Sequence, residues 1–356
     1  MSTNRAGLAT MLEAISQTRV CIVGDVLLDV FTRGRTDRVC PDAPALVVHE
    51  REVSYRASGA ALAAQPLRAL GAQVHLVTVL GNDDAGGRVR HLITEDGTAL
   101  SVVTAERPTP CKNRIIATHP TAAQGGGQLL LRVDREDTTD IPALVEADMI
   151  AAAREAIGHA DAVLLSDYAK GVCTPALTRA VIDTARAAGI PVVVDPKRPD
   201  PRRYAGATML TPNLAELAAM TRAGTGSLST PDEIHVLAEQ LRVQTESDWV
   251  VVTRDAAGLS AAGQGGGCIE IPSYPGDVVD VAGAGDVLAG VLTAALVARA
   301  AFTTDVLTRA LVLASLAAGL SLRQEAHKQV TAQELLAAAE HHNVIDRFVD
   351  MEVQRS

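Results

Sequence analysis

The amino-acid sequence predicts an α/β protein: a mostly parallel central sheet covered by helices on both faces, with a small antiparallel β lid. Three observations predict it. Short apolar runs rich in β-branched residues recur along the chain, and each ends at a Gly, Asp, Asn, Ser or Thr turn. Ala- and Leu-rich stretches with helical spacing lie between them. The apolar runs lack polar alternation, as strands buried on both faces do. Strands alternating with helices of this length make βαβ units.

In chain order, Val20–Val23 is the first such strand and ends at Gly24-Asp25, and Ala60–Leu70 has the spacing of a helix. Val74–Leu80 ends at Gly81-Asn82-Asp83. Ala162–Leu165 ends at Ser166-Asp167, ahead of a helix at Pro175–Ala188. Pro191–Val194 ends at Asp195-Pro196, and Thr208–Leu210 ends at Thr211-Pro212-Asn213. Helices are expected at Leu214–Thr221 and Asp232–Gln244, before the strand Trp249–Val252, which ends at Thr253-Arg254. In an open sheet of this kind ligands bind outside the carboxyl ends of the strands. Asp25, Asp83, Asp167, Asp195, Asn213 and Thr253 are therefore expected to face one crevice. The plainer reading of any one of them is a turn starter or a helix cap.

Two segments break the rhythm. Residues 30–57 and 108–135 contain alternating runs, among them Ala45–His49, Val53–Tyr55, Lys112–Ala117 and Gln128–Asp134. Alternation implies antiparallel strands with one solvated face. Neither segment is long enough to stand alone, so together they are expected to form a lid over the crevice.

Composition narrows the function. The chain has 356 residues, 32 basic and 42 acidic, for a net charge of −10. Such a body has no global attraction for nucleic acid or anionic membranes. Three Phe, one Trp and four Tyr argue further against a base-stacking surface. The five cysteines (Cys21, Cys40, Cys111, Cys173, Cys268) form no CxxC pair, so neither a disulfide framework nor a zinc site is indicated. The apolar stretches at 287–301 and 306–322 are interrupted by polar residues, short of the ~18 unbroken apolar residues of a spanning helix. No signal-peptide pattern opens the sequence. The expected setting is the cytoplasm.

The strongest local signal is Asp280-Val281-Ala282-Gly283-Ala284-Gly285-Asp286, followed by an apolar helical run. Small residues let the backbone approach a ligand, and N–H groups at a helix start form an anion hole. Asp286 in that first turn is placed to take a proton from an attacking hydroxyl, which is general-base phosphoryl transfer. The plainer reading is a Gly-rich helix start that Asp286 stabilises. A dehydrogenase would instead want G-x-G-x-x-G after the first strand, where this chain has Gly24-Asp25-Val26-Leu27-Leu28.

Together with Gly24–Asp29, Ser166-Asp167-Tyr168-Ala169-Lys170-Gly171, Asp195-Pro196-Lys197, Thr211-Pro212-Asn213-Leu214-Ala215-Glu216 and Val252-Thr253-Arg254, in that order, this motif resembles the ribokinase-like (PfkB) carbohydrate kinases. In detail the chain is similar to the D-glycero-β-D-manno-heptose-7-phosphate kinase branch. The resemblance covers about residues 18–335. It implies a ribokinase-like three-layer sandwich over 1–345 as a single kinase domain, with the lid above and a tail at 346–356. It implies phosphorylation of the anomeric hydroxyl of a heptose 7-phosphate by ATP, with Asp286 as base and the Gly283, Ala284 and Gly285 backbone as anion hole. Asn213 and Glu216 match the element that organises Mg2+ and the nucleotide phosphates; residues i and i+3 share a helix face and can hold one hydrated ion. Thr253, Arg254, Gly258 and Asp280 match the ATP site. Asp25, Asp29, Gly59 and Asp167 match positions around the sugar. Lys112, Arg114, Lys170, Lys197 and Arg132 are the cations expected to supply the distal phosphate site.

The chain departs from the family at several positions. Ser58 and Leu62 stand where a Gly and a sugar-binding Asn are usual, and Ala282 where the signature has Thr. Ser315 replaces a frequent Asn, and a Gly-Thr is absent near Ala326-His327, where monovalent-cation and adenine contacts are usual. A different heptose stereoisomer fits these changes. The alternatives are a ribokinase- or fructokinase-type activity on another sugar, or a non-catalytic sugar-phosphate binder. A monovalent cation is a further expected ligand, and apolar Leu129–Leu131 would suit a homodimer through the lid. Because one kinase fold uses nearly the whole length, the nucleotidyltransferase step that often accompanies this branch is expected from a separate protein.

Overall fold

A computed structural model describes residues 3–118, 127–224, 228, 230–264, 267–274, 283–297, 304–322 and 330–341. Helix α1 (Thr3–Ser16) leads into strand β1 (Arg19–Gly24). A long hairpin follows, β2 (Val26–Val39) and β3 (Leu46–Gly59), then α2 (Ala60–Ala69), β4 (Gln73–Gly81), α3 (Asp84–Glu95) and β5 (Ala99–Ala105). A second hairpin, β6 (Cys111–Thr118) and β7 (Gln128–Arg135), precedes α4 (Ala143–Ile157), β8 (Ala162–Ser166), α5 (Pro175–Ala187), β9 (Val192–Asp195) and β10 (Met209–Leu210). The rest comprises α6 (Leu214–Thr221), α7 (Pro231–Thr245), β11 (Trp249–Thr253), β12 (Leu259–Gly263), β13 (Cys268–Ile271), α8 (Ala284–Val297), α9 (Thr304–Ser321) and α10 (Ala332–His341).

The central sheet has the order β13-β12-β11-β10-β9-β8-β1-β4-β5. Every pairing from β5 to β11 is parallel; β12 and β13 close one edge antiparallel. Alternate residues of each inner strand feed two separate cores, which is why the strands are apolar throughout. Ile22, Leu164, Val193 and Val251 pack with the α1, α2, α8 and α9 layer. Val23, Leu165, Val194 and Val252 pack with the α4 to α7 layer. Helix α9 is long and apolar enough to cross a membrane by length and composition alone, but 61% of it is buried inside the fold. It serves as a core helix packed with α8.

The strand order positions the crevice. The chain builds from β1 to β4 and β5 on one flank, then returns to the other flank of β1 with β8. The carboxyl ends of β1 and β8 therefore lie side by side at the topological switch point. Gly24 makes their close approach feasible: a Cβ there would lie 2.1 Å from the Ser166 carbonyl oxygen.

The lid is a four-stranded sheet of order β3-β2-β6-β7. Each hairpin is antiparallel, but β2 and β6 pair parallel. The two hairpins are joined through their first strands, which rise from the central sheet in the same direction. Both lid segments lie where alternation placed them, although the first starts at Val26, directly after Asp25. Pairing puts Asp29, Phe31 and Arg33 of β2 beside Arg56 and Ser54 of β3 and Lys112 and Arg114 of β6, with Arg132 of β7 next in line.

Candidate active site

The start of α8 has the geometry an anion site needs. Gly283 has φ +88, a left-handed conformation that favours glycine, and its carbonyl accepts the Val287 N–H at 3.0 Å to close the first turn. A Cβ on Gly285 would meet nothing within 4 Å, so the backbone there stands open to a ligand. Asp286, in the same turn, is buried among apolar neighbours. Burial pushes its carboxyl up to about 7; a hydrogen bond from Tyr168 and the charge of Arg56 pull the other way, while Asp29 adds to the rise. Asp280, with Val281 and Ala282, lies outside the described residues.

Asp25 and Asp167 are brought together at the ends of β1 and β8, but their oxygens are already engaged. The Asp25 carboxylate accepts the backbone N–H groups of Tyr168, Lys170 and Val172 at 2.8, 3.0 and 3.0 Å. Burial, with the neighbouring Asp167 charge, raises it to about 6 against those bonds. Asp167 accepts the Ala169 N–H at 2.7 Å and the hydroxyl of fully buried Tyr204 at 2.7 Å. The two acids thus anchor the loop after β8. Asp83, expected at the same crevice, caps α3 and pairs with Arg135 of β7 at 2.9 Å.

Asp195, Asn213, Glu216, Lys197 and Thr253 form one cluster, in which Asp195 lies close enough to Asp286 to feel its charge. Asn213 and Glu216 form a reciprocal capping box at the start of α6: each side chain accepts the other's backbone N–H at 2.9 Å. The second Glu216 oxygen accepts from Lys197 Nζ at 2.8 Å. Thr253 bridges to Asn213 in parallel register. Asp195 is pushed well above the usual carboxylate range by burial and then by the charges of Asp286 and Glu216. Both Glu216 oxygens and the Asn213 side-chain oxygen already accept hydrogen bonds, so this pair could hold a divalent cation only through water. Arg254 is tied to Glu270 of β13 at 2.5 Å rather than left open to a ligand. Gly258 (φ +91) is required by its turn, since a Cβ would lie 2.0 Å from the Ile271 carbonyl oxygen.

One face of the lid carries positive charge. Arg33, Arg56 and Arg114 each stand 5.2–5.3 Å from the centre of the Phe31 ring. Buried Asp29 holds Arg114 at 2.7 Å and Arg56 at 3.6 Å. Lys112 lies on the same face without an ion pair among the described residues; burial lowers its pKa, Asp29 opposes this, and Lys170 and Arg132 add like-charge pressure. Arg132 pairs with Asp134 at 2.8 Å, and half-buried Lys170 with Glu136 at 2.7 Å. Gly59 (φ +67) is the joint between β3 and α2, where a Cβ would lie 2.4 Å from the Asp25 carbonyl oxygen. Leu62 in α2 comes within 3.2 Å of where a Gly283 side chain would be.

The sequence did not single out Arg33, Arg56, Phe31 or the side chain of Tyr168. Lid register would have found the first three; the reach of Tyr168 to Asp286, 118 positions away, has no sequence signal.

Comparison with known proteins supplies the frame for this geometry. Residues 17–332 match the family described as pfkB family carbohydrate kinase. The bifunctional protein HldE of Caulobacter sp. (strain K31) is 38% identical over 97% of this chain and 68% of its own length. HldE of Citrifermentans bemidjiense is 34% identical over 95% of this chain and 66% of its own length. The chain thus spans about two thirds of these relatives. The fold is similar to Escherichia coli phosphofructokinase-2 in complex with potassium (TM-score 0.73, 16% identity, 91% of this chain and 99% of that one). It is also similar to Arabidopsis thaliana ribokinase complexed with ribose and ATP (TM-score 0.67, 19% identity, 90% and 98%).

Proposed function

Because the chain belongs to the pfkB family of carbohydrate kinases, we propose that it transfers the γ-phosphoryl group of ATP to the anomeric hydroxyl of a heptose 7-phosphate, giving the 1,7-bisphosphate. The observation that carries this reading is the lid face of Arg33, Arg56, Lys112 and Arg114, a concentrated positive patch on a chain of net charge −10. A free sugar does not need it; a sugar phosphate does. The sequence motifs, resembling heptose-7-phosphate kinases, and the HldE relatives support the same substrate.

The sugar would lie between the lid and the ends of β1 and β8, its distal phosphate on the lid cations and its anomeric end toward Asp286. Asp286 takes the hydroxyl proton as the oxygen attacks the γ-phosphorus. The bond from that phosphorus to the β,γ-bridging oxygen breaks, and ADP leaves. The N–H groups of Ala284 and Gly285 face the transferred group and stabilise its charge. Magnesium, bound with ATP beside Asn213 and Glu216, would supply neutralisation of the phosphate oxygens. Asp25, Asp167 and Gly59 act on the sugar site by fixing the loop and the lid joint that border it. Lys197, now on Glu216, is within the same cluster and is available to phosphate by exchanging partners.

One contact favours a second reading. Leu62 against Gly283 presents an apolar wall beside the acceptor end, which suits a stereoisomer other than the usual heptose. A potassium ion accompanies the similarly folded phosphofructokinase-2, and we extend that expectation to this chain. Leu129, Leu131 and Val133 expose an apolar stripe on β7, suited to pairing two lids in a homodimer. Five free cysteines support a reducing, cytoplasmic setting.

The test compares a heptose 7-phosphate with the same heptose lacking its phosphate, under Mg-ATP. The expected result is a kcat/KM higher by about 100-fold for the phosphorylated sugar, in line with two or more charge-assisted bonds. Equal values would remove the distal-phosphate role of the lid.

A further inference from the structure

The loop after β8 carries a residue to which the phosphoryl-transfer scheme gives no role. The Tyr168 hydroxyl donates to both oxygens of Asp286, at 2.6 and 2.7 Å. We propose that Tyr168 is a positioning residue for Asp286, fixing the orientation of the carboxylate and holding it ionised to receive the sugar proton. The inference rests on the reading of Asp286 as the base.

The loop holds Tyr168 rigidly. Its own N–H is bonded to Asp25, two positions on the Lys170 N–H is bonded there as well, and Ala169 is fixed by Asp167. Arg107 clamps the loop from the far side through the Lys170 carbonyl at 2.9 Å. Ala169 sits at φ +56, a left-handed conformation that a non-glycine residue keeps only where its surroundings dictate it. The buried acids Asp25 and Asp167 thus act on the chemistry at one remove: they aim Tyr168.

Asp286 needs such a partner. The charged and titratable groups that bear on it are Asp29 from β2, Arg56 from β3, Tyr168 from the β8 loop and Asp195 from β9. Burial, Asp29 and Asp195 favour the protonated acid, which is useless as a base. Arg56 opposes them but is shared with Asp29. Tyr168 opposes them by direct hydrogen bonds. Burial and the Asp286 charge push its own phenol far above the ordinary tyrosine range, so it remains a donor. A carboxylate has about four acceptor sites, and a phenol bridging the two oxygens leaves the outer ones for the acceptor hydroxyl.

The test is Tyr168→Phe, which keeps the ring and removes the donor. Loss of one such bond is expected to move the acid limb of the kcat–pH profile up by about half to one unit. At pH 7 kcat should fall about two- to sixfold and recover toward the wild-type value by pH 9, while KM for ATP and for the sugar phosphate stays within about twofold. A residue that only fills space would lower activity equally at every pH. The carboxyl 13C resonance of Asp286, assigned by its loss in Asp286→Asn, reports the same midpoint without turnover and should also shift upward in Tyr168→Phe. Unshifted midpoints in both measurements overturn the proposal. If no sugar is phosphorylated but the resonance shifts, the kinase reading fails and the coupling of Tyr168 to Asp286 stands.

Discussion

In the proposed function the identity of the sugar turns on one side chain, Leu62. It sits in the first turn of α2, within 3.2 Å of the space above Gly283, and so beside the anion hole. A leucine there cannot hydrogen-bond a sugar hydroxyl, and sites that replace a polar partner by an apolar one discriminate strongly. Leu62→Asn is expected to change the ratio of kcat/KM between two epimeric heptose 7-phosphates by about tenfold or more, toward the epimer that presents a hydroxyl at this point. The KM for ATP should not change. Steady-state kinetics on the two epimers checks this, and an unchanged ratio would remove Leu62 from the specificity of the site. Asp25 and Asp167 make the complementary point. Both are buried acids in a sugar-kinase crevice, yet five hydrogen bonds within the protein occupy them.

In the proposed function the lid is the element on which phosphate recognition depends. Its front face carries the arginines and Lys112 around Phe31, and alternation along β2, β3 and β6 is what collects them. Replacing Lys112 or Arg114 by Ala is expected to raise KM for the sugar phosphate about 10- to 100-fold, with little change in KM for ATP. Parallel kinetics with the unphosphorylated sugar should show no such rise; an equal rise for both would mean that the substitution disturbs the lid as a whole. Much of this was legible in the sequence. Unbroken apolar runs placed six strands of the central sheet, and alternation placed both lid hairpins. The edge strand β5, the hairpin of β12 and β13, and helices α1, α3 and α4 were not singled out; α1 buries Leu8, Met11, Leu12 and Ile15 at helical spacing and was readable, whereas half of the buried face of α4 is alanine, which carries little periodic signal. For Asn213 and Glu216 the sequence left two readings, a helix cap and an ion-organising pair, because both need the spacing i, i+3; the structure shows the capping box. Arg56 was invisible because its place beside Asp29 depends on register across a hairpin.

At the scale of the molecule, the site costs stability. The carboxyl of Asp286 lies at about 7 in the folded protein, against ~3.9 in an unfolded chain. Between those values the folded state binds more protons than the unfolded one, so the contribution of Asp286 to stability falls as pH rises from about 4 to about 7. Asp25, at about 6, acts in the same direction. Asp286→Asn is therefore expected to raise the melting temperature at pH 8 and to have little effect near pH 4. Thermal melts at the two pH values check the sign. The cationic face of the lid is a local exception in a body of net charge −10. In the proposed function this exception places a phosphorylated sugar against Asp286. Incubation with Mg-ATP and a heptose 7-phosphate, followed by 31P NMR, tests it most directly. The predicted result is ADP together with a second sugar phosphate resonance coupled to the anomeric proton, absent with Asp286→Asn. Production of no ADP with any sugar phosphate, or full activity in Asp286→Asn, would contradict it.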